Sequence, residues 1–278
     1  MDNQPLAEAM EDIIQQGALE LPMLPAVANQ VIQLTMNPES SSEQLAELLQ
    51  RDQALAGHAM RIANSAAYSP VNKMDSLQQA ITRLGMRSIA EIALASTLSA
   101  KLFKVPGYEW RAIEIWKHSL ATALWSKEIA RLLRLGTEAT FLAGLLHSIG
   151  RPVVLQAALK LTDSLGVDPM PNLVLQLEDH YQQQVGLKVC QEWQMPTLVI
   201  DTISQLENSE AANRSKDPVT VIRAATLFAQ LTVTPELMDQ EQLRSHQVME
   251  QLGLSEDQLD ELLEKAEALE GTLATIAG

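Results

Sequence analysis

The chain has 278 residues, 46% of them hydrophobic, with 20 basic residues against 35 acidic ones and a net charge of −15. That is enough apolar sequence for a large core, and a chain this acidic has no general affinity for a nucleic-acid backbone. Cys190 is the only cysteine, which excludes an internal disulfide and suits a reducing cytoplasm. The first residues carry neither the basic nor the apolar run of a signal peptide. No apolar stretch reads as approaching the ~18 residues of a membrane span.

Apolar residues recur at helical spacing almost throughout, and no alternating strand pattern is found, so the expected class is all-α. Residues 1–20 read as a helical lead-in. After the turn Leu21-Pro22-Met23-Leu24-Pro25, Val27, Val31 and Leu34 mark a helix that Asn37-Pro38 stops. Ser40 with Glu43 predicts a capping box ahead of Leu45, Leu48 and Leu49. Leu77, Ala80, Ile81 and Leu84 form a stripe ending at Gly85, read as a left-handed C-cap. A long helix is predicted over 109–135, closed by Gly136, and Thr137 opens the next, which carries His147. Further helices are predicted at 172–179, 186–194, 197–206 and 219–231. Pro106-Gly107, Asp168-Pro169, Met195-Pro196 and Asp217-Pro218 are the breakers between elements.

Charge is concentrated at the C-terminal end. Eleven acidic and two basic residues fall between Glu236 and Gly278, so −9 of the net charge lies there. The tail is still expected to fold and pack: Ser255 with Gln258 makes a capping box, and Leu259, Leu262, Leu263 and Leu269 recur at helical spacing. In the other direction, Lys127, Arg131 and Arg134 fall on one predicted helix face. That face reads as a solvated surface or as a dock for an acidic partner, the tail included.

Several segments together resemble one family. They are the Leu-Pro turn at Leu21, Arg61-Ile62-Ala63-Asn64-Ser65-Ala66, Gln79-Ala80-Ile81-Thr82-Arg83-Leu84-Gly85, Trp116-Lys117-His118-Ser119, Gly144-Leu145-Leu146-His147-Ser148-Ile149-Gly150 and Glu192-Trp193-Gln194-Met195-Pro196. Their order and spacing resemble the HDOD (HD-related output domain) family, a degenerate branch of the HD phosphohydrolase superfamily. The resemblance implies an HD-type helical bundle over residues 21–231, with 232–278 as an acidic helical extension, in a bacterial signalling protein.

The resemblance also implies where metal ligands would stand in an active relative. His118 and His147 match such positions. Ser148 replaces the aspartate that follows the second histidine, Gln182 stands four residues before Gly186, Gln205-Leu206 replaces a His-His pair, and Thr226 stands at the closing aspartate. A hydroxyl is neutral and binds divalent metal weakly, and two imidazoles without a carboxylate do not complete a hydrolytic centre. The plain reading of the vestigial pair, His118 and His147, is that both are hydrogen-bonded core histidines. His147-Ser148 is no hydrolase dyad, because consecutive helical residues do not face each other. Cys190 reads as a packing residue, and Asn64-Ser65-Ala66-Ala67 as a capped helix end.

The expectation is therefore a cytoplasmic, non-catalytic regulatory module of signal transduction. It would act through protein–protein contacts and as a possible homodimer, with no catalytic residue, metal, cofactor, nucleic acid or membrane. Its competitor is a divergent metal-dependent phosphohydrolase acting on nucleotides or phosphoesters. A third reading is a sensor that binds a nucleotide in the vestigial cavity without turnover.

Overall fold

The computed structural model describes residues 4–68, 73–168, 170–207 and 217–277, and among these every regular element is an α-helix. Pro169 of the Asp168-Pro169 breaker lies outside the described residues. An N-terminal group comprises α1 (Gln4–Gln15), α2 (Ala26–Met36), α3 (Ser42–Gln50), α4 (Gln53–Ala63), α5 (Leu77–Leu84) and α6 (Met86–Leu102). A central group comprises α7 (Glu109–Leu133), α8 (Thr137–Leu146), α9 (Gly150–Leu165), α10 (Pro171–Glu192), α11 (Thr197–Gln205) and α12 (Pro218–Val233). The extension folds as α13 (Gln240–Ser245), α14 (Gln247–Leu252), α15 (Glu256–Leu263) and α16 (Ala266–Ala277).

Helix α7 is the axis of the structure. It packs on α8 and α12, and α16 lies against it from the other end of the chain. Trp125 on α7 is fully buried. Its ring lies 4.6 Å from that of Phe228 on α12, and its Nε1–H donates to Thr232 Oγ1 at 2.8 Å. The apolar body is thus buried while the one polar atom keeps a partner.

Two of the family-like segments turn out to be joints. The Asn64 amide brackets Met74, donating to its carbonyl at 2.9 Å and accepting from its N–H at 2.6 Å, and so closes the connection to α5. The Trp193 indole donates to the Pro22 carbonyl at 2.7 Å, which pins the Leu-Pro turn to the end of α10. Where α9 crosses α10, Gly150 meets Gly186. A Cβ added to Gly150 would stand 1.9 Å from the Gln182 carbonyl oxygen. The helices can approach this closely only because that position has no side chain.

Several local expectations shift. The N-terminal capping box is Ser41 with Gln44, one residue beyond the predicted Ser40–Glu43. The helices expected at 172–179 and 186–194 are one, α10, because nothing between them breaks the backbone. Gly85 has positive φ as expected, but with ψ at 149° it sits outside the left-handed helical well. Gly136 does not close α7: it has φ −66° and precedes α8, while Arg134 takes the left-handed conformation at φ 59°. There the Leu135 N–H reaches the Ala130 carbonyl at 2.8 Å. This closing turn favours glycine. Arg134→Gly is therefore expected to stabilise the protein by about 0.5–1 kcal/mol, read by urea unfolding, since an L side chain in that well costs about 1–2 kcal/mol and the freer unfolded glycine offsets part of the gain.

The apolar stretch Thr137–Leu165 also exceeds the expectation. It reaches a mean hydropathy of 1.3 over an 18-residue window, but 78% of that window is buried inside the fold, as befits a core element. Ser148 and its neighbours break it into α8 and α9.

The extension docks through its apolar stripe. Leu259, Leu262, Leu273 and Ile276 are buried, and α16 also touches α6. The ionic part of the contact has the opposite polarity to that expected. Lys265 of the extension lies 3.1 Å from Glu128 of α7, and Arg131 pairs with the same carboxylate. Lys127 does not belong to an open basic face: it is mostly buried and bonded to Glu91 of α6 at 2.5 Å. Burial pushes the Glu91 carboxyl up despite that partner.

Candidate functional site

The positions singled out by the resemblance come together. His118 on α7, His147 at the end of α8, Ser148, Gln182 on α10, Leu206 at the end of α11 and Thr226 on α12 all line one cavity of about 430 Å³. Gln205 contributes its backbone instead, its carbonyl accepting from Arg223 Nη2 at 3.1 Å. Five elements converge because α7 crosses the bundle beside both the α8–α9 break and α12.

The histidine rings lie 5.6 Å apart, centre to centre, inclined at 55°. His147 Nδ1 lies 2.7 Å from the Gly144 carbonyl. A carbonyl only accepts, so Nδ1 carries the hydrogen and Nε2 of the neutral ring carries a lone pair. His118 bonds the main chain of Thr226. Burial pushes His118 down to about 4, reinforced by Arg151 and Arg111 and partly opposed by the Thr226 bond. Burial again comes first for His147, pushed down to about 3 with help from His118 and Arg151. Both rings are neutral near pH 7. They fit the plain reading in being hydrogen-bonded to the backbone, yet each keeps an edge on the cavity.

Ser148 faces a neighbour. Its Oγ lies 2.6 Å from Ser119 Oγ, and Ser119 Oγ lies 2.7 Å from the Ile115 carbonyl. Ser119 spends its single hydrogen on that carbonyl, so Ser148 is the donor between the two hydroxyls. Both are fully or almost fully buried. The position of the expected carboxylate thus holds a short hydroxyl relay. Among the described residues, no three His, Cys, Asp or Glu side chains are grouped to hold a metal ion.

The sequence reading missed the charged wall. Glu178 of α10 is completely buried, and Arg111 of α7 grips it with Nε at 2.9 Å and Nη2 at 2.6 Å. Arg151 of α9 reaches the same carboxylate through Nη1 at 2.5 Å, and Asp179 through the same atom at 2.7 Å. The signal available was Arg151, set among apolar residues, and Glu178, which falls at helical spacing between Val174 and Val185 although Asp179 sits beside it. Arg223 on α12 caps α11, donating through Nε and Nη2 to the Leu206 carbonyl. Ile115, Leu206, Val233 and Leu237 supply an apolar side, and Leu237 is 69% exposed at the rim. Cys190 is buried away from this cavity, its thiol pushed up to about 12 by burial, as expected of a packing residue.

An all-α bundle with a histidine pair at the α7–α8 crossing is what the resemblance to the HD type implies. The family model of the HDOD domain matches residues 21–209, and the chain belongs to that family. Among solved structures, it is similar to a candidate metal-dependent phosphohydrolase from Shewanella amazonensis SB2B, at 23% identity over 97% of this chain and 98% of that one, TM-score 0.74. It is also similar to an HDOD domain protein of unknown function from Geobacter sulfurreducens, at 21% identity over 97% and 99%, TM-score 0.69. A candidate signal transduction protein from Marinobacter aquaeolei VT8 covers all of this chain with 67% of its own, at 23% identity and TM-score 0.66. At these identities the likeness is one of fold. Among curated proteins, none matches the chain.

Proposed function

We propose that this protein is a non-catalytic regulatory module of bacterial signal transduction, working in the cytoplasm through contacts with other signalling proteins. The observation that carries this reading is the buried Ser148–Ser119 hydroxyl relay at the place of a metal-binding carboxylate. Beside it stand two imidazoles without a third side-chain ligand among the described residues. This donor set does not fit a hydrolytic metal: two neutral nitrogens fall short of the three protein ligands of a catalytic site and leave the charge of a divalent ion unbalanced. The acidity of the chain favours protein partners over nucleic acid.

Purified protein is expected to carry no stoichiometric Mn, Fe, Ni or Zn and to release no product from nucleotide or phosphodiester substrates with Mn²⁺ added. Ser148→Asp is expected to remain inactive, because one carboxylate supplies neither the other ligands nor the groups that orient them. Turnover together with one tightly held metal per chain would overturn the reading. Capture of partners from the native cell extract, with light scattering to report self-association, identifies the contacts.

A further inference from the structure

We propose that the histidine cavity is a receptor for a small hydroxycarboxylic acid with a hydrocarbon tail. Its carboxylate would lie against Arg151, its hydroxyl against the two imidazoles, and its tail against Val233 and Leu237.

The argument starts from Arg151. A guanidinium offers two edges that can hold a planar carboxylate through a pair of parallel hydrogen bonds. Arg111 shows such a bond in this molecule, with Nε and Nη2 both on Glu178. Arg151 lines the cavity and reaches Glu178 and Asp179 through Nη1 alone. Its Nε and Nη2 have no hydrogen bond among the described residues. The edge equivalent to the one Arg111 uses is therefore open. The cavity's own carboxylates do not compete for it: Glu207 accepts from Gln182 at 2.8 Å and Glu114 from Arg111 at 3.0 Å.

The imidazoles set the second requirement. His147 spends Nδ1–H on Gly144, so the ring presents an acceptor at Nε2. Burial lowers the pKa of both rings, with Arg151 and Arg111 adding to it at His118, and His118 and Arg151 at His147, so both remain acceptors at neutral pH. A bare oxyanion placed there would meet lone pairs, whereas a hydroxyl would donate to them. The third requirement is the apolar side, which a hydrocarbon chain would cover. One molecule meets all three when it carries an anion and a hydroxyl at one end and a short alkyl chain at the other.

The test uses the full chain with ¹⁵N-labelled histidine at pH 7.5 and three probes: 3-hydroxyoctanoate, octanoate and inorganic phosphate. 3-Hydroxyoctanoate is expected to shift the ring nitrogens of His118 and His147 saturably. Octanoate should bind at least tenfold more weakly for want of the hydroxyl, and phosphate should leave both rings unmoved. Arg151→Lys keeps the charge beside Glu178 but removes the open edge, and should weaken the hydroxy acid at least tenfold. If that variant does not melt cooperatively, Leu237→Asp on the exposed rim replaces it, with the same expected loss. The proposal fails if the hydroxy acid shifts neither ring, if octanoate or phosphate binds as well, or if the variant binds unchanged. It rests on the reading of this site as one that binds without turnover. None of the probes is a phosphoester, so a negative result here leaves the non-catalytic reading standing, and hydrolysis of phosphoesters would overturn that reading alone.

Discussion

Gly150→Ala is expected to cost a large part of the protein's stability. The added methyl would stand 1.9 Å from the Gln182 carbonyl oxygen and 2.6 Å from the Gly186 nitrogen. Both are backbone atoms of α10, and no rotamer change can move them aside. Relief requires α9 and α10 to separate. That would loosen the grip of Arg151 on Glu178 and the seat of His147 one turn earlier. Overpacking a core costs about 1–3 kcal/mol where side chains can adjust, and a clash between helix backbones belongs at or beyond the upper end of that range. Urea unfolding reads the loss directly. Gly271→Ala, where an added Cβ meets nothing within 4 Å, is the matched control and should be neutral or slightly stabilising. If Gly150→Ala unfolds within ~0.5 kcal/mol of the parent, the two helices do not cross as closely as described.

Acid is expected to destabilise the fold well above the usual carboxylate range. His118 and His147 titrate near 4 and 3 in the folded protein, against about 6.5 in the unfolded chain. Below pH 6.5 the unfolded chain therefore binds more protons than the native one, and stability falls as the pH falls. It is fully retained above 6.5 and continues to be lost down to the folded values. Each ring contributes a slope of up to ~1.4 kcal/mol per pH unit, so the pair removes a few kcal/mol between pH 6.5 and 4.5. That is a substantial share of the stability of many domains. Stability from urea unfolding across this range should show the slope, and His147→Gln should lose about half of it. A stability that stays flat from pH 6.5 to 4.5 would mean that the rings are not desolvated as the geometry implies.

The helical class, the order of the central elements and the meeting of His118, His147, Ser148, Gln182, Leu206 and Thr226 were all legible in the sequence. The first two follow from local periodicity, and the meeting of the site positions is what the resemblance to the family implies. What escaped is information carried between distant residues. The charged face assigned to Lys127, Arg131 and Arg134 was read on an isolated helix. Glu91 on α6 buries Lys127, and Arg134 leaves the helix altogether. Glu178 is the clearest case. An acid on the stripe of Val174 and Val185 reads as an interruption until Arg111, 67 residues away, closes on it. The helix boundaries at Ser41 and Gly136 moved because side-chain caps and backbone turns compete within one or two positions, whereas 180–186 stays helical because no breaker lies there.

The bond from Trp193 to the Pro22 carbonyl bears on how the chain is made. Its partners are separated by 171 residues, and Lys188 reaches back still further, 174 residues, to the Ile14 carbonyl at 2.8 Å. At a synthesis rate of about 5–20 residues per second, the opening turn waits roughly 10–35 s after emerging before the residues that fasten it exist. Through that interval α1 and the Leu-Pro segment lack the surface that seats them, with Met10 and Ile14 left exposed instead of buried. The nascent N-terminal segment therefore stays unseated until α9 and α10, which carry its partners, have been made.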